Sequence, residues 1–259
     1  MKLSISNIGW KKEDDEEVYR MLNKLNYSAI EIAPTRIFPV NPYEKLQEAR
    51  EWSEELKGNY GLKVSSMQSI IFGKTERLFG DETEREILKQ YIKAGIDFAA
   101  VIGCNNLVFG SPKNRIIESE ADYGVAVEFF RELGEYASNK NTILSIEPNP
   151  TLYGTNFINY TEDAFNIASE IGSDGFKVNV DFGTIIENNE DIRVLAENIE
   201  LINHVHISEP NLVHILERSQ HRELFSLLRE VKYDKYVSIE MKQCELNKIK
   251  DTLSYVANL

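Results

Sequence analysis

The sequence has little of what staples, interrupts or anchors a chain. Cysteine occurs twice in 259 residues, as Cys104 and Cys244. Two thiols cannot staple a fold of this size and lack metal-site spacing, so a reducing compartment without structural disulfides is expected. No stretch reaches the roughly 18 apolar residues of a membrane span. Met1 to Trp10 has no long apolar run behind a basic end, so it does not read as a secretion signal and the expected location is cytoplasmic. There is no Pro-rich or Ser-rich linker and no step in composition, so one domain over 1–259 is expected. Cationic residues are also in deficit, 29 Lys plus Arg against 42 Asp plus Glu, a formal charge of −13. Such a surface repels phosphate backbones and anionic lipid heads, which argues against nucleic acid or a membrane as partner. Small anions stay admissible, because a few lysines or arginines in a cleft outweigh distant charge. A divalent cation is favoured.

What is present is enough apolar residue for a large core, 42% hydrophobic with 12 Phe and 12 Tyr, in a length close to the roughly 250 residues of a (β/α)8 barrel. Eight short β-rich runs recur at regular intervals: Leu3 to Ile8, Ala29 to Ala33, Lys63 to Gln68, Asn106 to Phe109, Thr142 to Glu147, Phe176 to Asp181, Ile202 to Ile207 and Tyr236 to Met241. Between them lie amphipathic stretches that predict helices over Asp14 to Leu25, Pro42 to Tyr60, Thr83 to Gly103, Asp122 to Lys140, Thr161 to Ile171, Asp191 to Leu201 and Gln220 to Val231. Thr161 supplies a hydroxyl cap, and Gly61, Gly103 and Gly172 follow helix ends. Eight βα units in an uninterrupted α/β chain predict a single (β/α)8 TIM barrel rather than a doubly wound sheet.

In such a barrel the reactive side chains stand at the C-terminal ends of strands. The last four strands end in Ser145-Ile-Glu147, Asn179-Val-Asp181, His204-Val-His206 and Ser238-Ile-Glu240. One carboxylate at a strand end is commonly a helix cap. Here Glu147, Asp181, His206 and Glu240 follow one another at 34, 25 and 34 residues, each close to one βα unit. They therefore reach similar heights around one mouth, where converging carboxylates without a cation would be costly. Three carboxylates and one imidazole favour Mn²⁺, Mg²⁺ or Co²⁺, with Zn²⁺ also admissible. His204 points to the same side as His206 and is either a pocket residue or a further ligand.

These strand ends, with Pro148, Ser208-Glu209, Glu31-Ile-Ala-Pro34 and Gly110-Ser-Pro-Lys113, resemble the sugar phosphate isomerase/epimerase family, the xylose isomerase-like TIM barrels related to ketose 3-epimerases. The resemblance spans the whole chain. It implies a divalent metal held by Glu147, Asp181, His206 and Glu240, a small sugar or sugar-phosphate substrate, and proton transfer through an enediolate with Glu147 and Glu240 as the acid/base pair. It also implies that a homo-oligomer is common among relatives. Two positions depart from the ketose epimerase pattern: Thr184 stands where a histidine is usual, and Leu212 where an arginine is usual. Those groups touch substrate oxygens, so a different natural substrate is implied. An inosose-dehydratase-like lyase, and a sugar-binding barrel without catalysis, are the alternative readings. The four histidines are too few for the histidine-heavy zinc cluster of the nuclease branch.

Glu31, Gln68, His204 and Lys242 are the expected substrate-binding residues: Glu31, Gln68 and Lys242 lie at or just beyond strand ends, and His204 shares the side of His206. Lys113 and Arg115 are read as an anion clamp or a solvated pair, and Trp10 and Phe72 as covers for an apolar sugar face or as packing. His214 and His221 are expected at the surface or at caps, Glu209 to orient an imidazole, and the loop from Pro148 to Gly154 to fold over the mouth.

Overall fold

In the computed structural model, which describes residues 1–119 and 121–259, the β-rich runs form eight parallel strands. They are β1 (Lys2–Ile5), β2 (Ala29–Ile32), β3 (Lys63–Met67), β4 (Leu107–Phe109), β5 (Leu144–Ile146), β6 (Phe176–Asp181), β7 (Ile202–Ile207) and β8 (Tyr236–Ile239). From β2 to β8 each strand pairs with the next in sequence, β1 pairs with β8, and an isolated parallel bridge from Ser6, one residue beyond β1, to Glu31 of β2 all but closes the ring. The result is a nearly closed (β/α)8 TIM barrel.

The helices are α1 (Asp15–Lys24), α2 (Pro34–Ile37), α3 (Leu46–Tyr60), α4 (Glu82–Val101), α5 (Ala121–Asn139), α6 (Thr161–Ile171), α7 (Phe182–Asn188), α8 (Val194–Glu197), α9 (Ser219–Glu230) and α10 (Leu246–Ala257). α1 shows why the pattern folds so: Val18, Tyr19 and Leu22 form its buried stripe, and three acids occupy its first turn, where the helix dipole favours negative charge. α4 starts on Asp81, whose carboxylate accepts the Glu84 N–H at 2.9 Å. Gly61 and Gly172 close α3 and α6 with φ of 65° and 63°, a left-handed conformation that costs glycine little.

Several boundaries differ from the sequence reading for identifiable reasons. β6 and β7 run as predicted, whereas β1, β2, β3, β5 and β8 stop one to three residues short of the predicted ends. α6 begins on the expected cap, Thr161, so the cap itself falls one residue earlier: Tyr160 is the capping residue, and its N–H donates to Asp163 Oδ2 at 3.0 Å. The predicted helix from Asp191 to Leu201 is only the short α8 and a 3-10 turn. There Asp191 accepts the Arg193 N–H at 2.9 Å, a local turn that competes with the helical ladder. α2, α7 and α10 were not anticipated. α7 follows β6 directly, with Asp181 as its cap.

The apolar core lies between the outer faces of the strands and the helices. Phe130 of α5 packs on Phe109 of β4 and Phe176 of β6, with ring centroids 5.1 and 5.0 Å away. Burying each such ring is worth about 1.5–3 kcal/mol. The barrel interior is polar instead. Asn106 Nδ2 donates to Ser66 Oγ at 2.9 Å, and Asn106 Oδ1 accepts from Ser145 and Asn203, each at 2.7 Å. This network sits beneath the mouth and satisfies groups that would otherwise be costly to bury.

Candidate metal centre and active-site cavity

Glu147 and Glu240 lie one residue beyond β5 and β8, Asp181 ends β6, and His206 is the penultimate residue of β7. The strand register places Asp181 beside His206 and His206 beside Ser238. The main chain fixes the two glutamates: Glu147 N–H donates to Phe109 O at 3.2 Å, and Glu240 N–H to Ile207 O at 2.8 Å. The four side chains converge, with one ligand-type atom from each lying within 4.8 Å of the others. All four are buried, His206 completely.

Their neighbours determine how they point. His206 Nδ1 lies 3.0 Å from Glu147 Oε1 and 3.2 Å from Glu240 Oε2, while Nε2 lies 3.0 Å from Glu31 Oε1. An Nε2–H donated to Glu31 leaves Nδ1 as the ring atom facing the cluster. Asp181 Oδ2 accepts the Thr184 N–H at 2.9 Å and lies 2.8 Å from Thr184 Oγ1, and the Ser208 hydroxyl donates to Oδ1. Asn179 Nδ2 donates to Glu147 Oε1 at 2.7 Å, and Asn149 Nδ2 to Oε2 at 3.1 Å. Gly110 leaves room for this carboxylate, since a Cβ there would fall 2.6 Å from Glu147 Oε2.

Four carboxyl groups, including Glu31, surround one imidazole, and their proton affinities record the crowding. Burial lifts the Glu240 carboxyl to about 7, with Glu147 and Glu31 adding to the rise and His206 opposing it. Burial and the neighbouring Glu147 charge also raise Asp181. Burial disfavours a charged His206, yet Glu31, Glu240 and Glu147 outweigh it and hold this imidazole well above its ordinary range. Glu31 is pushed up by its own burial, but His206 and His204 bring it down to about 2. His204, buried and lacking a hydrogen-bond partner at Nε2 among the described residues, falls to about 3 through desolvation.

The donor set fits a hard divalent cation: three carboxylates and one imidazole nitrogen, an excess of negative charge, and a glycine that keeps space beside one carboxylate. Glu31, His204 and His206 also lie close enough to form a second such group, but they sit wholly buried beneath the first.

Above the cluster opens a cavity of about 610 Å³. Its floor includes Glu147, Asp181 and Glu240, and Gln68, Asn149 and Tyr153 add polar groups to the wall. Gln68 donates from Nε2 to Ser6 Oγ at 2.7 Å and accepts from Ser69 at 2.9 Å. Tyr153 Oη accepts the Asn211 N–H at 2.8 Å, tying the loop after β5 to the loop after β7. Phe72 lines the cavity while 68% exposed.

Of the four residues expected to bind substrate, Gln68 lies on this wall. Glu31 and His204 lie under His206, and Lys242 is exposed outside the wall, its N–H donating to Leu212 O at 2.8 Å. Leu212 itself lines the cavity, at a left-handed φ of 52° unusual for a branched side chain. Trp10 is buried away from the cavity, its indole N–H donating to Asp15 Oδ1 at 2.8 Å. Glu209 pairs with Arg218 at 2.6 Å rather than orienting an imidazole. His221 is buried against Phe182 rather than at the surface, and His214 Nδ1 lies 3.4 Å from Thr252 Oγ1.

Two supporting residues, Asn179 and Asn149, were not singled out. Asn179 was within reach of strand periodicity, because it lies two residues before Asp181 on the same face. Asn149 bears on the cluster through Glu147, two residues before it. Arg115, expected as part of an anion clamp or as a solvated charge, is neither. It is fully buried rather than solvated, and one nitrogen of its guanidinium donates to both Glu147 O and Asn149 Oδ1 at 2.7 Å. Its charge thus stands behind the Glu147 segment instead of on the cavity wall.

Comparison with known proteins agrees with this architecture. The chain is similar throughout to the crystal structure of apo 3-keto-D-glucoside 4-epimerase YcjR from E. coli, with 18% identity, 100% of each chain covered and a TM-score of 0.81. It is also similar to D-psicose 3-epimerase from Clostridium cellulolyticum H10, with 16% identity over 100% of this chain and 97% of that one and a TM-score of 0.76. A sugar phosphate isomerase/epimerase from Parabacteroides distasonis shows 15% identity, coverage of 99% and 92%, and a TM-score of 0.74. No curated protein sequence matches the chain. The family described as xylose isomerase-like TIM barrel matches residues 19–258, and the chain belongs to it.

Proposed function

We propose that this protein is a divalent-metal-dependent isomerase or epimerase of a small sugar or sugar phosphate, built as one domain. The observation that carries the reading is the convergence of Glu147, Asp181, His206 and Glu240 at the floor of a sugar-sized cavity. Mn²⁺, Mg²⁺ or Co²⁺ suits the oxygen-rich set best, and Zn²⁺ is compatible with it. Held by Glu147, Asp181, His206 and Glu240, such an ion would supply Lewis-acid polarisation of a substrate carbonyl and offset the negative charge left when the adjacent C–H loses its proton.

The chain's own groups account for the rest. One of Glu147 and Glu240 removes the proton α to the carbonyl; the C–H electron pair forms the enediolate double bond and the carbonyl π pair moves to oxygen. The other carboxyl group returns a proton, to the same carbon in an epimerisation or to its neighbour in an isomerisation. Asn179 and Asn149 hold the Glu147 carboxylate by both oxygens, and Thr184 and Ser208 hold Asp181. Gln68 presents hydrogen-bonding groups to substrate hydroxyls. Glu31 acts through His206, with His204 beside it, and Lys242 belongs to the outer rim.

The test is exchange of substrate C–H for deuterium in D₂O, across ketoses and their phosphates, with Mn²⁺-loaded and chelator-treated protein. The expected result is metal-dependent incorporation at the carbon next to the carbonyl, with product mass otherwise equal to that of the substrate. Incorporation that persists without metal, or none with any substrate tried, contradicts the reading.

A further inference from the structure

The cavity has two ends of opposite charge. Its floor carries three carboxylates from β5, β6 and β8, whereas a second lobe, formed by the loops after β3 and β4, carries Lys74 and Lys113. These are the cationic side chains of the described cavity wall, in a chain whose formal charge is −13. Among the described residues neither ammonium is paired with a carboxylate. Glu76, in the loop after β3, accepts the Thr75 N–H at 3.1 Å and is absent from the described wall.

The lobe is built. Asn114 is 8% exposed and stitches its two loops together: Nδ2 donates to Lys74 O at 3.2 Å and Glu76 O at 2.8 Å, and its main-chain carbonyl accepts the Leu78 N–H at 2.8 Å. Lys74 is half-buried, with its ammonium 4.1 Å from the centroid of the Tyr91 ring, which steadies the cation without neutralising it. Lys113 follows Ser111 and Pro112 in a 3-10 turn that begins on the proline, and Thr75 and Ser111 add hydroxyl groups to the same wall. At about 610 Å³ the cavity falls within the roughly 300–1,000 Å³ of sites that hold drug-sized ligands. It has room for more than the reacting end of a small sugar.

We infer that the lobe between the β3 and β4 loops binds a terminal oxyanion of the substrate, a phosphate or carboxylate at the chain end remote from the reacting carbons, through Lys74 and Lys113. This rests on the proposed sugar chemistry at the floor of the same cavity. It narrows the substrate to a sugar phosphate or sugar acid, with the neutral sugar as the weaker ligand.

The test is equilibrium binding of D-ribulose and D-fructose, their terminal phosphates and the matching terminal carboxylates, to both the Mn²⁺-loaded and the metal-free chain. Two solvent-screened charge pairs, one to the half-buried Lys74 and one to the exposed Lys113, predict that an anionic ligand binds about tenfold tighter than its neutral parent, a margin that shrinks as salt is raised. Whether phosphate or carboxylate gains more identifies the anion. In the Lys74→Met/Lys113→Met double variant the ratio should fall towards one, and Lys74→Arg/Lys113→Arg should restore it. The inference is overturned if no anionic ligand exceeds its parent, or if the preference survives the double methionine variant. Mn²⁺ titration of the same samples separates the two claims. Metal uptake without anion preference defeats the oxyanion lobe alone, and anion preference without metal uptake defeats the metal reading alone.

Discussion

The two halves of the barrel contribute to the cavity by different means. In the second half, β5 to β8, the candidate ligands stand on or directly after the strands: Glu147, Asp181, His206 and Glu240 are placed by the sheet register and the main-chain bonds that continue it. In the first half, the cavity wall comes mainly from the loops after β3 and β4, and its cations are steadied by Asn114 and Tyr91. A parallel sheet fixes positions to within its register, whereas a loop is fixed by whichever side chain happens to bridge it. The floor is therefore suited to holding an ion in exact geometry. The lobe is suited to charge recognition, which tolerates more movement.

The largest expected effect breaks the floor. Glu240→Gln keeps the shape of the side chain but removes a proton carrier, and should lower the rate of substrate C–H exchange by about 10²–10⁴-fold. Circular dichroism of the variant should remain that of the wild type; exchange at the wild-type rate rules out the assigned role.

Glu31 tests whether support from the first half matters to the floor. It bridges to His206 Nε2 across 175 residues of sequence and accepts from Ser238 at 3.2 Å. Glu31→Gln should weaken Mn²⁺ binding by about 10–100-fold, the usual cost of losing a carboxylate that orients a metal-binding imidazole. Unchanged affinity by calorimetry would show that Glu31 is only a buried neighbour.

Proton competition gives a smaller, graded effect. A metal needs carboxylate and neutral imidazole, but without one the Glu240 carboxyl lies near 7 and the His206 imidazole is held well above its ordinary range. Mn²⁺ affinity should therefore rise with pH, by about tenfold per pH unit for each proton displaced. Below pH 7 both groups release protons on binding; above it the His206 contribution continues. Calorimetry in buffers of different ionisation enthalpy counts those protons, and a pH-independent affinity with no proton release contradicts the arrangement.

The smallest effect is expected in the lobe. Asn114→Ala removes the bonds to Lys74 O and Glu76 O. At about 1 kcal/mol net, the melting temperature should fall by roughly 2–4 °C. Mn²⁺ affinity should stay at its wild-type value, which a calorimetric titration checks; a parallel loss would mean that the two halves are mechanically coupled.

The same contrast explains what could be read from sequence. β6 and β7 were legible to the residue, and the four strand-borne groups of the floor were legible because one βα unit separates each from the next. Glu31 was visible as a polar strand end, but its contact with His206 depends on how β2 and β7 face each other across the barrel, which no local pattern encodes. Thr184 was visible only as a departure from a family pattern; in the folded chain it holds Asp181 by backbone and hydroxyl. Arg115 looked like a loop charge because composition cannot show that the β4 loop folds inward over Glu147. Lys74 escaped notice for the same reason: its place on the wall depends on Asn114, forty residues further along the chain.

The central claim is that four side chains from β5 to β8 form one metal centre, and calorimetric titration of Mn²⁺ into metal-free protein tests it most directly. The account predicts uptake of one ion per chain in the wild type and its loss in the Glu147→Gln/Asp181→Asn double variant with the fold retained. No uptake by the wild type, or unchanged uptake by the double variant, would contradict it.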